Sequence, residues 1–380
     1  MAIPKLALIP SGYKAGKLYS VLPTNGDGDF TTTRNTVATR VNENGLIEEV
    51  GVNVPRLDYS DGGCPSLLLE PSATNLVTYS EDFSQWATNG TITPNSAISP
   101  DGTQNATLFS HSGGSFPQVV LSGITLVSGA DYIPSLYVKS DGTSQVQHSL
   151  LVDNVVVNFT PTDKWVRISD LIVSTATSGS FIIAQNSASS VPASFYIYGA
   201  QLEEQSYATS YIKTVGTIQS RSADTANGAG NASTFNSSEG VLMYQIKPIG
   251  SDGTHKRITL SDSTSNNRII MGFDNNNNVT ATVFNGSNQA ILGGNYIGKD
   301  EMSKYALKYK ASDFALWLNG FEVDSETSGG VTYPIGTLNQ FRFEDGNGGL
   351  DFYGSAKQIQ YFDSALNDSD LEKLTSWTSF

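Results

Sequence analysis

Phe195-Tyr196-Ile197-Tyr198-Gly199-Ala200-Gln201-Leu202 decides the fold class. Successive residues of a strand point to opposite faces, and this stretch is apolar on both. A strand with two apolar faces belongs in the middle of a sheet. Working outward, Trp165 to Val173, Leu150 to Val157 and Tyr132 to Lys139 are further strand candidates. Turns separate them at Ser99-Pro100-Asp101-Gly102-Thr103 and Ser140-Asp141-Gly142-Thr143. Strands at this spacing predict an antiparallel sandwich or jelly roll over 75–214.

Residues 238–380 repeat the pattern. Val241 to Lys247, Arg257 to Leu260, Arg268 to Phe273, Val279 to Phe284 and Tyr305 to Tyr309 alternate with turn residues. Phe314-Ala315-Leu316-Trp317-Leu318 ends at Asn319-Gly320, a hairpin signal because both residues tolerate positive φ. Phe314, Leu316 and Leu318 share one face and Trp317 takes the other. Gln358 to Phe362 then precedes the one helix, with Asn367 as N-cap and Asp370 at its positive end. Leu366 and Leu371 stand at staple positions, and Leu371, Leu374 and Trp377 form the expected buried stripe.

Residues 1–74 read as an extended arm, punctuated at Pro4, Pro10, Pro23, Asn25-Gly26-Asp27-Gly28 and Asp61-Gly62-Gly63. Its short strand candidates are Lys17 to Leu22, Phe30 to Thr33, Ala38 to Val41 and Leu46 to Val50, the last two joined by Asn44-Gly45. Residues 215–237 are small and polar, which predicts a linker, either flexible or draped over a surface. The expected architecture is therefore all-β: an N-terminal extended arm, then two antiparallel β-sandwiches, with a short C-terminal helix.

Charged residues make up 15% of the 380, well under the roughly 25% of an average domain. Gly, Ser, Thr and Asn take their place, as many short strands and tight turns require. With 22 Lys plus Arg against 36 Asp plus Glu, the formal charge is −14. Such a surface repels phosphate backbones and excludes nucleic acid as a partner. Cys64 is the single cysteine, so no intramolecular disulfide forms; its expected role is a small buried apolar residue. Pro4 and Pro10 interrupt any signal-peptide core, and no stretch is long enough to insert in a membrane. The expectation is a protein made and assembled in the cytoplasm.

No nucleophile elbow, phosphate loop or zinc motif stands in the chain. His111, His148 and His255 are far apart and lack metal-ligand spacing. Glu48-Glu49 and Glu203-Glu204 are adjacent, and adjacent strand residues face opposite ways, so neither makes a glycosidase pair. The chain reads as a non-enzyme. Sugar binding needs aromatics that stack on pyranose faces, with polar groups beside them. Trp165 with Arg167 on the same strand face, and Trp317, are the carbohydrate-binding candidates; Trp165 either meets a sugar or packs under a loop, and Trp317 is either exposed or packed beneath the helix. Trp86 is expected to plug the core. A structural calcium ion is the one cofactor to look for, with Asp252, Asp262, Asp274 and Asp345 as loop ligands.

Several stretches resemble a known family. "EPSATNLVTYSEDFSQW", "SPDGTQNATLF", "YVKSDGTS", "DKWVRIS" and "FYIYGAQLEEQSYATSYIKT" stand in the order seen in the carbohydrate-binding-like β-sandwich of tailed-bacteriophage structural proteins. The arm, from "IPKLALIPSGYKAGKLYSVLP" to "VPRLDYSDGGCPSLLLEPSATNL", resembles the opening of phage virion appendage proteins. "KYALKYKASDFALWLNGFEVD" and "FYGSAKQIQYFDSALNDSDLEKL" are similar to laminin-G-like and concanavalin-like lectin domains, with Asn367 where that family has serine. The resemblance implies a virion protein, a head or tail fibre or decoration, assembled in the host cytoplasm. It implies attachment to other virion proteins through the 1–74 arm, a homo-oligomer with a trimer favoured, and contact with host surface glycans. A glycan-degrading tail enzyme and a bacterial surface adhesin are the alternatives; the missing signal peptide counts against the adhesin.

Overall fold

A computed structural model describes residues 2–10, 13–14, 16–143, 146–153, 155–185, 190–297, 301–330 and 333–377. The regular structure of the described chain is nearly all β, with 50% of residues in strands and 3% helical, its strand ladders are antiparallel, and one short helix, Asp368–Thr375, lies near the C-terminus. Two compact units divide it. One comprises Met1–Thr36, Val50–Pro71 and Ala223–Phe380, the other Val37–Glu49 and Ser72–Ser222.

The second unit holds the strand Ala193–Glu203, apolar on both faces. Ala193–Glu203 is central in its sheet, between Ala106–His111 and Asp131–Ser140, with Thr91–Ala97 and Val166–Ser169 outside them. Phe195 and Ile197 enter the sandwich core, and so do Ala200 and Leu202. That change of parity needs a bulge, and Gly199 supplies it at φ +64, where the Asp131–Ser140 register shifts. Tyr198 is thereby left on the outer face. The opposing sheet runs Ala87–Thr88, Gln118–Thr125, Ser178–Ala184, His148–Val152 and Val155–Phe159. Trp86 plugs the core as expected, its indole N–H donating to the Tyr79 carbonyl at 3.0 Å.

The first unit is also two sheets around one core. In one sheet, Glu239–Pro248 lies between Ser303–Lys310 and Gly354–Phe362. Its Leu242, Tyr244 and Ile246 face the sandwich core, while Val241 and Met243 face the helix. Asn367 caps that helix by accepting from the Asp370 N–H at 3.0 Å, and Leu371 and Leu374 are buried beneath it.

Three expectations change here. The arm is not a separate extended segment: Leu6–Leu8 pairs with Gly354–Phe362, Ser66–Leu69 pairs with the same strand, and Phe30–Thr33 pairs with Thr225–Ala229. Leu6, Leu8, Leu18, Phe30, Leu57, Leu67 and Leu69 are all buried in the first unit's core. Short pieces that cannot make a core alone complete one made elsewhere in the chain. Nor is 215–237 a loose linker. Gln219–Arg221 pairs with Ala73–Asn75, and Ala226 and Ala229 are fully buried. A Cβ on Gly230, at φ +80, would stand 2.2 Å from the Phe235 ring. Small residues here signal close packing rather than flexibility. Cys64, expected in the interior, is exposed.

The same segment carries a buried charge hub. Asp224 accepts from Arg34 at 2.8 Å, from Arg56, and from the Glu70 N–H at 3.0 Å. Arg56 also bonds Glu70 at 2.7 Å. Burial alone would lower the Arg56 guanidinium, but Glu70 and Asp224 outweigh it and hold it above its ordinary value.

Candidate functional site

The face predicted to carry sugar contacts is the outer face of the six-stranded sheet in the second unit. Tyr137, Trp165, Tyr198 and Tyr211 gather there. Arg167 lies over the Tyr137 ring, 5.5 Å from its centroid. Trp165 and Arg167 do share this face, as their alternation requires, and both are half-buried. Their polar groups are engaged within the unit. The Trp165 indole N–H donates to the Ile98 carbonyl at 3.0 Å, and Arg167 donates to the Thr209 carbonyl at 2.7 Å and to Ser135 Oγ at 2.9 Å.

Part of this face is roofed. The hairpin of Ala38–Val41 and Ile47–Val50 places Ile47 against Tyr198 and Tyr211. Its Ile47 N–H bonds the Pro100 carbonyl at 2.9 Å, and Thr39 Oγ1 donates to the Tyr211 carbonyl at 2.5 Å. Nearby, Tyr198 OH donates to Glu81 and Asp101, each at 3.0 Å. Burial and those two carboxylates push the Tyr198 phenol above its ordinary range, so it remains a donor. Burial would raise the Asp101 carboxyl, yet hydrogen bonds from Ser99, Thr103 and Asn105 bring it to about 2. What stays open is the half-exposed ring of Trp165 at the rim.

Trp317 takes the second of its two expected places, beneath the helix, and drops out as a sugar contact. It is 7% exposed, packed with Val241, Met243, Ala306, Ala315 and Phe362 under Leu371 and Leu374 of the helix. A ring enclosed between helix and sheet cannot stack on a sugar. Trp377 is the converse case: the helical stripe placed it inside, but it follows the last helical turn and is 53% exposed. It is the most exposed of the four tryptophans.

The four candidate calcium ligands are not brought together. Asp252 accepts from the Thr254 N–H and from Lys256, Asp262 from the Thr264 N–H and Asn267, Asp274 from the Asn276 and Asn278 N–H groups, and Asp345 from the Asn347 and Gly349 N–H groups. Each organises its own turn. Among the described residues no group of three His, Cys, Asp or Glu side chains could hold a metal ion.

Spacing in the sequence missed one pair. His111, on the six-stranded sheet, and His148, on the five-stranded sheet, meet Nε2 to Nε2 at 3.3 Å. His148 Nδ1 lies 2.8 Å from the Val146 carbonyl, and the Gly113 N–H reaches His111 Nδ1 at 3.3 Å. These partners fix the tautomers: His148 carries its proton on Nδ1, and His111 donates from Nε2 to His148. Phe109, Phe159 and Phe195 surround the pair. Burial brings His148 down to about 4 and also lowers His111. Only the packing of the two sheets face to face brings these positions together.

No protein-family profile and no curated protein matches the chain. Among solved structures, the CBM40 module of the Ruminococcus gnavus IT-sialidase is similar at 16% identity and a TM-score of 0.34, over 40% of this chain and 94% of that one. Domain 4 of an extracellular arabinanase from Geobacillus stearothermophilus is similar at 15% identity and a TM-score of 0.31, over 40% and 73%. A pentraxin of Limulus polyphemus gives 14% identity and a TM-score of 0.28, over 37% and 76%. Likeness this distant transfers neither ligand nor activity to this chain.

Proposed function

We propose that this chain is a non-enzymatic structural protein of a tailed-phage virion, a head or tail appendage that touches host-surface glycans. The stretches from "EPSATNLVTYSEDFSQW" to "FYIYGAQLEEQSYATSYIKT", in that order, support the virion assignment. In this reading it is assembled in the host cytoplasm, joins other virion proteins and forms a homo-oligomer. The arm strands are built into the folded units, most into the first and the Ala38–Val41 and Ile47–Val50 hairpin against the second, so in this reading attachment uses surfaces of the folded sandwiches rather than a free arm.

The observation that carries the glycan contact is the Trp165 rim. Its ring is half-exposed and its orientation is fixed by the bond to Ile98. A held aromatic ring offers stacking area at small entropic cost. Single shallow sites bind weakly, and many copies on one particle raise avidity by about 10²–10⁴ when they engage together. The test is Trp165→Ala, measured as adhesion of particles to host cells beside circular dichroism of the purified protein. Weaker adhesion with an unchanged spectrum is expected. Unfolding of the variant would assign Trp165 to packing. Normal adsorption of particles stripped of the protein would leave it as decoration.

A further inference from the structure

The first unit carries a second aromatic corner. Phe314–Leu318 and Phe321–Glu326 are joined by Asn319-Gly320 with φ of 50° and 92°, the geometry that a two-residue hairpin turn demands. The end of the C-terminal helix clamps this turn. The Gly320 N–H donates to Thr375 Oγ1 at 3.0 Å, and a Cβ on Gly320 would stand 2.7 Å from Ser376 Oγ. The clamp then positions Trp377. Its indole N–H donates to Asn319 Oδ1 at 2.9 Å, an oxygen that also accepts the Lys304 N–H at 3.0 Å. Lys304 Nζ stands 5.0 Å from the Trp377 ring centroid and donates to the Ser376 carbonyl at 2.8 Å.

These contacts fix the plane of an indole that is 53% exposed. Phe321, on the other side of the same turn, is 73% exposed. Two large rings at one corner leave most of their area in solvent, and Trp377 has its single polar group already satisfied. A tryptophan kept for packing would be oriented inward, as Trp317 is. Here one hydrogen bond from the ring to Asn319, with Lys304 beside the ring and itself bonded to the Ser376 carbonyl, holds it in place on the surface.

We propose that the Asn319–Phe321 turn and Trp377 form a binding site for a neutral hexose of a glycan, with the C–H face of the pyranose stacked on the open side of the Trp377 indole. Stacking on a ring held this way needs no charge on the sugar. A chain of net charge −14 disfavours acidic sugars, and Lys304 at this corner is already engaged by the Ser376 carbonyl. This inference rests on the glycan-contact reading above but places a contact in the other unit, so the two succeed or fail separately.

The experiment is saturation-transfer NMR on the full purified chain, with cellobiose and lactose as neutral probes and 3′-sialyllactose as the acidic comparison. Transfer to the C–H protons of a neutral disaccharide is expected, at millimolar affinity. Trp377→Ala, which removes an exposed ring and leaves the core intact, should weaken it roughly tenfold. Trp377→Phe should restore part of the loss, and Trp165→Ala should leave this signal unchanged. Three results would overturn the site: equal binding by Trp377→Ala, preference for the acidic sugar, or no transfer to either neutral probe. Loss of the signal in Trp165→Ala alone would move the contact to the second unit and sink this inference while sparing the other.

Discussion

Acid should weaken the second unit through His148, and the size of the effect follows from its surroundings. In the folded unit His148 is neutral, its Nε2 accepting from His111 and its Nδ1 side against the Val146 carbonyl. Protonation turns Nε2 into a donor aimed at another donor, among three phenylalanine rings that carry no charge to compensate. Burial accordingly lowers His148 from an ordinary 6.5 to about 4. The unfolded chain takes up this proton at about pH 6.5 and the folded unit only near 4. Stability is therefore full above about 6.5 and is lost as pH falls toward 4. Between pH 7 and 5 the loss is about 2 kcal/mol, from 1.36 kcal/mol per unit over the 1.5 units below the unfolded value. That window stays above the ordinary carboxylate range, and a variant comparison removes what other groups contribute. Glu203 is one such group: burial raises its carboxyl, which acts with the opposite sign. The assay is urea unfolding at pH 7 and pH 5 of the wild type and His148→Phe. The wild type should lose about 2 kcal/mol more than the variant. Equal losses, or an NMR titration placing His148 near 6.5, would refute the reasoning.

Two further outcomes concern the first unit. Asp224→Ala leaves the buried Arg34 and Arg56 with one carboxylate fewer; a loss of about 3–5 kcal/mol is expected by chemical denaturation, and a loss under about 1 kcal/mol would mean the hub is hydrated. Removing residues 1–36 takes Leu6, Leu8, Leu18 and Phe30 from the core. At about 1.5–3 kcal/mol each this matches a domain's whole stability, so limited proteolysis should find the first unit unfolded, and a protected first unit would show that the arm is dispensable.

How much was legible depended on the range over which a signal acts. The central place of Phe195 to Leu202, the turn at Asn319-Gly320 and the Asn367 cap are set by neighbours a few residues apart, and all stand as read, although the bulge at Gly199 shifts the strand's parity midway. Trp317 was placed correctly opposite Phe314 and Leu316, but strand parity names a face without saying what covers it; the helix does. Trp377 lies where the helical period would bury it, yet the helix ends at Thr375 and the period no longer applies. The segment around Asp224 looked like a linker because small and polar residues read as flexible. Its partners Arg34, Arg56 and Glu70 lie more than 150 residues away in the chain.

By itself, then, the sequence determined the class of fold, the central strand, the capped helix and the faces of individual strands, since dihedral preference and side-chain period are local properties. Tertiary structure alone decided which faces are roofed, that the arm completes a core, that two histidines 37 positions apart share a hydrogen bond, and which tryptophan remains in solvent. Those are contacts between segments remote in the chain. They depend on strand order and sheet stacking, for which no local stretch of sequence carries a period or a turn signal.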